Sequence, residues 1–91
     1  MIARVATFNS APSDDRTWVL EALKGVPGVH CTYHLKDPER GTGLSISIFD
    51  AEEDIPAAVE AISARAREIG HQGPGPDDIR IYQVVGHTQN P

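Results

Sequence analysis

Two short runs of strict alternation, joined by a turn, constrain this chain more than any other feature. In residues 29–36, Val29, Cys31, Tyr33 and Leu35 alternate with His30, Thr32, His34 and Lys36. After Asp37-Pro38-Glu39-Arg40-Gly41-Thr42-Gly43 the pattern resumes, with Leu44, Ile46 and Ile48 set against Ser45, Ser47 and Phe49. A period of two is that of a β-strand, and the Asp, Pro and Gly between the runs form turns. The two runs therefore read as a hairpin. Its more apolar face (Val29, Cys31, Tyr33, Leu35, Leu44, Ile46, Ile48) is expected to lie against helices. The other face, with His30, Thr32, His34, Ser45, Ser47 and Phe49, is expected to stay bare and semi-polar.

The flanks supply two helices and two more strands. Ile2 to Phe8 is rich in strand formers and is broken by Asn9-Ser10-Ala11-Pro12. Ser13 is then a good N-cap, with Asp14 and Asp15 in the first turn. Val19, Ala22, Leu23 and Val26 follow at helical spacing, and Gly25 with Pro27-Gly28 ends the segment. Past the acidic cluster 50–54, Asp54 can cap a second helix with Pro56 in its first turn. Ile55, Val59, Ile62, Ala66 and Ile69 form its apolar stripe and Gly70 its stop. Residues 79–85 read as a last strand and 87–91 as a frayed tail. The order is β-α-β-β-α-β. Two interleaved right-handed units of this kind give a ferredoxin-like α+β sandwich, a four-stranded antiparallel sheet with both helices on one face. We expect one domain over residues 1–91, with strands in the spatial order four, one, three, two.

Composition narrows the function classes. Apolar residues make up 40% and charged ones 23%, which suits a folded chain rather than a disordered one. Eight basic and thirteen acidic residues leave a net charge of −5, which argues against nucleic acid as a partner. The one cysteine, Cys31, has no partner for a disulfide within the chain. No apolar run approaches the ~18–20 residues of a membrane span, and Met1-Ile2-Ala3-Arg4 lacks the apolar core of a signal peptide. A cytoplasmic protein with no membrane partner is the expectation. A chain this small buries only about 60–65% of its unfolded surface, so it gains from a partner subunit. Covering the bare sheet face makes a homodimer the expected form.

Val26-Pro27-Gly28-Val29 leading into Tyr33-His34-Leu35, then Asp37-Pro38, and Gly43-Leu44-Ser45-Ile46-Ser47-Ile48-Phe49-Asp50 with Glu52-Glu53, resemble the antibiotic biosynthesis monooxygenase-like family. The resemblance covers roughly residues 2–86 in element order. It implies a dimeric α+β barrel, in which the sheets of two protomers pack together and each protomer keeps a pocket between sheet and helices. Some members oxidise polycyclic aromatic ketides without metal or flavin, and some degrade haem. Catalytic members use an asparagine near the end of the first strand, a tryptophan around the second helix and, in haem degradation, a histidine further along. Asn9 matches the first and His71 falls near the third. The second has no counterpart, since that stretch reads Ile55-Pro56-Ala57-Ala58-Val59-Glu60-Ala61 and the only tryptophan, Trp18, is on the first helix.

The candidate catalytic residues are Asn9, Tyr33 and His71, and the candidate ligand-binding residues are Trp18, Tyr33 and Asn9. Asn9 either donates to a developing oxyanion or is a turn residue bonded to its own backbone. Trp18 either stacks on a flat ligand or closes the edge of the core. Tyr33, placed on the helix side, either orients a substrate oxygen or is a core tyrosine. His71 either acts as a base near neutral pH or is an exposed loop residue. The expected pocket lies between the first helix and the sheet, with Trp18, Tyr33 and Asn9 around one opening. No metal is expected: His30 and His34 lie about 13 Å apart along a strand, too far for two ligands at ~2.1 Å from one ion. The expected function is cofactor-independent, monooxygenase-like chemistry or cyclisation on a planar aromatic or polyketide-type small molecule. The alternative is a non-catalytic dimeric module that binds ligands or partners.

Overall fold

The computed structural model describes residues 1–11, 16–73 and 75–90. Its elements run β1 (Ile2–Phe8), α1 (Thr17–Leu23), β2 (Val29–Asp37), β3 (Thr42–Phe49), a 3₁₀ turn (Glu52–Asp54), α2 (Ile55–Ile69) and β4 (Asp78–Gln83). The strands form one antiparallel sheet in the order β2-β3-β1-β4. This is the ferredoxin-like order expected from the sequence.

The β2–β3 hairpin closes on its own turn residues. The Asp37 carboxylate accepts from the backbone N–H groups of Glu39 and Arg40 at 3.1 and 3.3 Å and from Arg40 Nη1 at 2.8 Å. The Gly41 N–H donates to the Asp37 carbonyl at 2.8 Å, with Gly41 itself left-handed at φ 69°. At the other end of the sheet, Gly28 (φ 85°) turns the chain into β2. A Cβ there would stand 2.3 Å from the Asp54 carboxyl carbon, so the position needs glycine for both its dihedral and its contact. Asp54 in turn accepts from the Ala51 N–H at 3.2 Å and opens α2, with Pro56 in the first turn. Gly70 (φ 70°) ends α2 as expected, and the His71 N–H reaches back to the Ala66 carbonyl at 2.9 Å. The expected cap of the first helix, Ser13 with Asp14 and Asp15, lies outside the described residues. Within them α1 begins only at Thr17.

The two faces of the sheet are the reverse of those expected. Phe49 is 2% exposed and packs with Val19, Leu23 and Ala58 of the helices. The face carrying Phe49, Ser47 and Ser45 is therefore the covered one. Register then assigns the rest. Ile2, Arg4, Ala6 and Phe8 of β1 share this face with Thr32 and His34 of β2. Leu44, Ile46 and Ile48 lie on the open face with Tyr33, Leu35 and Cys31 of β2 and Ala3, Val5 and Thr7 of β1. A bulge in β2 between Val29 and Cys31 contributes to the reversal. It turns Cys31, Tyr33 and Leu35 to the side opposite Val29, because one extra residue flips every later side chain. The bulged His30 pairs with the Asp50 carboxylate at the sheet's end rather than joining a bare polar face.

Ile55 and Ile62 of α2 pack against the core and Ala58 is buried, so the inward line runs Ile55, Ala58, Ile62. Val59 and Ile69, expected in that stripe, are 38% and 44% exposed. Among the described residues, no helix is long and apolar enough to cross a membrane.

Candidate ligand-binding site

Small residues occupy the middle of the covered face. Ala6, Gly43, Ser45 and Ser47 lie on the two central strands beneath the helices. The Thr32 and Ser47 hydroxyls share a 3.0 Å hydrogen bond, which satisfies two polar groups in a mostly buried place. Arg4 stands across from Ser47 and Ile81, and partial burial holds its guanidinium below its ordinary pKa. His34 is half-buried across from Ser45.

At the end of this face where β1 finishes, four side chains from β1, the start of α1 and the end of α2 meet. The Trp18 ring of α1 and the His71 ring beyond α2 have centroids 4.6 Å apart, tilted by 43°. Trp18 also packs against the buried core. The Arg16 guanidinium lies 5.2 Å from the Phe8 ring centroid and 5.3 Å from that of Trp18, within cation–π range of both. Arg16 is the one non-glycine residue with positive φ among those described (φ 58°, ψ 22°). Its Nε is buried with no hydrogen-bond partner. The Gly73 N–H donates to His71 Nδ1 at 3.4 Å, folding the start of the α2–β4 loop onto the ring.

Of the residues expected from the sequence, Trp18 and His71 come together and Tyr33 does not. Tyr33 pairs with Ile46 on the open face and is 60% exposed. It is separated from Trp18 by the sheet, so the expected grouping of Trp18, Tyr33 and Asn9 around one opening is corrected. Tyr33 instead borders a separate cavity of about 470 Å³ with Cys31, Ile48 and the tail residues Val84 and His87. Asn9 follows β1 directly and is exposed, and its backbone N–H donates to the Asp77 carboxylate at 2.7 Å. Arg16 and Phe8 were not expected from the sequence. Arg16 reads there only as a lone basic residue after two acidic ones, and Phe8 as a strand former. Among the described residues, no three His, Cys, Asp or Glu side chains converge as a metal-binding group.

No family model and no curated protein matches the sequence. Solved structures do match its backbone. A candidate antibiotic biosynthesis monooxygenase of Chloroflexus aurantiacus J-10-fl superposes with a TM-score of 0.68 at 14% identity, covering 96% of each chain. One from Bordetella bronchiseptica gives 0.67 at 14% identity, over 92% of this chain and 96% of that one. The chain shares the ferredoxin-like α+β fold of these proteins. A mutant of MhuD, solved with two manganese protoporphyrin IX molecules bound per active site, shares this fold at a TM-score of 0.66 and 11% identity, over 99% and 100% of the two chains.

Proposed function

We propose that this chain is an antibiotic biosynthesis monooxygenase-like protein that binds a planar aromatic or polyketide-type small molecule between its helices and its sheet. The carrying observation is the convergence of Phe8, Arg16, Trp18 and His71 at one end of the covered face. The half-buried Trp18 ring beside His71 and the Arg16 cation suits a planar ligand with an oxygen at its edge. The proposal also takes the chain to act as a homodimer in the cytoplasm, joined through the open sheet face. That face is apolar at nine of its fourteen strand positions.

The chemistry proposed for this site is oxidation of an anthrone-type CH₂ to a carbonyl by dioxygen, the second oxygen atom leaving as water. It needs no reductant. Its barrier falls when the substrate ionises and the resulting anion is stabilised by fixed donors. In this reading Arg16 supplies such a donor and His71 moves the proton. One observation favours non-catalytic binding as a second reading: Ile55 to Ala61 offers only apolar groups and Glu60 where catalytic relatives carry tryptophan.

Titration with an anthrone, a quinone and haem, read by Trp18 fluorescence, tests the site, since Trp18 is the only tryptophan. Quenching by at least one ligand, lost on His71→Ala or Trp18→Phe when followed by calorimetry, is the expected result. No change with any ligand would remove the site. Oxygen consumption with bound anthrone separates turnover from binding.

A further inference from the structure

We infer that the ligand of this site is an aromatic anion and that Arg16 is the residue that selects its negative group. The inference rests on the binding reading above and adds the ligand's charge to it.

Charge segregation is the first support. On the covered face of the four strands the ionisable side chains are Arg4, His34 and Lys36, and none is a carboxylate. Arg16 and His71 add two more basic groups at its end. This happens in a chain whose net charge is −5, so the basic lining runs against the composition. The acidic residues of the strands, Asp37 and Asp78, fall on the opposite side by register.

The state of Arg16 is the second support. Its Nε is buried and unpartnered, and the residue takes part in none of the ion pairs found among the described residues. Arg65, Arg67 and Arg80, by contrast, each face a carboxylate. A guanidinium presents its donors as a planar fork that matches a carboxylate or an ionised phenol. With Phe8 and Trp18 flanking it, a ligand that carries its charge at the edge of a ring meets a flat wall and a cation together. The left-handed backbone at Arg16 holds the side chain there at a cost in strain, a pattern that recurs at ligand sites.

The test is calorimetric titration of the full chain with two probes of the same ring system, 9-anthracenecarboxylate and 9-anthracenemethanol. The wild-type chain is expected to prefer the carboxylate by about tenfold or more, the usual worth of a charge-assisted hydrogen bond. Arg16→Asn, which tolerates the left-handed backbone, should abolish the preference, so that the two probes bind the variant equally. Arg16→Lys should keep part of it, as a charge without the fork. Equal affinities in the wild type, or a preference that survives Arg16→Asn, would overturn the role of Arg16 and leave the aromatic site standing. Failure of both probes to bind would overturn the inference and the binding reading together. The wild-type comparison and Arg16→Lys keep the inference open to refutation should Arg16→Asn not fold.

Discussion

At the residue scale Arg16 sets two opposing terms against each other. A left-handed conformation costs an L-residue about 1–2 kcal/mol, and its buried, unpartnered Nε costs about 1–3 kcal/mol more. Against these stand two cation–π contacts, each about 0.5–1 kcal/mol at a partly exposed site. Arg16→Gly removes both costs and both gains, and adds about 0.5–1 kcal/mol of chain entropy to be lost on folding. The terms nearly cancel, so its Tm is expected within about 8 °C of the wild type, while affinity for the carboxylate probe falls. Thermal melts with and without the probe check this. A large loss of stability in the free protein would mean that Arg16 serves the fold rather than the ligand.

At the element scale the hairpin shows what sequence pattern can carry. Alternation located β2 and β3, and the Asp-Pro and Gly punctuation located their turn, because both signals are local. The Asp37 carboxylate is held below its ordinary pKa, first by its hydrogen bond to the Arg40 side chain and then by those to the backbone. A depressed folded pKa stabilises above the unfolded value and loses that support as pH falls through the folded one. The hairpin is therefore expected to loosen below about pH 4, the ordinary aspartate range. In an NMR titration the Asp37 carboxyl should move at lower pH than in Asp37 of the Arg40→Gln variant. Which face of the hairpin meets the helices was not local, and there the pattern misled. The rule that the more apolar face is the covered one assumes a single buried face. Here the helices cover Ser45, Ser47 and Phe49, and the aliphatic row is left bare. The bulge after Val29 compounds the reversal, and alternation alone does not show it. The same reversal put Tyr33 beside Trp18 in the sequence and on the far side of the sheet in the structure. The backbone of Arg16 was equally out of reach, because acidic residues ahead of an apolar stripe read as an ordinary helix start.

At the scale of the whole molecule the open face decides what the protomer does next. Its strand positions are Cys31, Tyr33, Leu35, Asp37, Thr42, Leu44, Ile46, Ile48, Ala3, Val5, Thr7, Tyr82, Arg80 and Asp78. Tyr33, Leu35 and Tyr82 are 60%, 47% and 50% exposed in the protomer. Its charged members sit at the rim, Asp37 at the end of β2 and Arg80 paired with Asp78 at 2.9 Å on the β4 edge, so the centre around Ile46 is apolar. Packing two such faces removes that surface from water at about 25 cal/mol per apolar Å², and a twofold arrangement makes the patch its own complement. The reversal of the faces inverts what alternation alone implies for two substitutions. Ile46→Asp puts a charge in the middle of the open face and leaves the helix-side core untouched. It should yield a folded monomer with wild-type far-UV circular dichroism. Phe49→Ala empties a site in the covered core and should cost about 3–5 kcal/mol of stability, whatever the association state. Light scattering and thermal melts on both variants and the wild type check the pair. A wild type that scatters as 9.8 kDa at micromolar concentration would remove the dimer. An Ile46→Asp variant that unfolds outright would mean that the protomer does not stand without its partner.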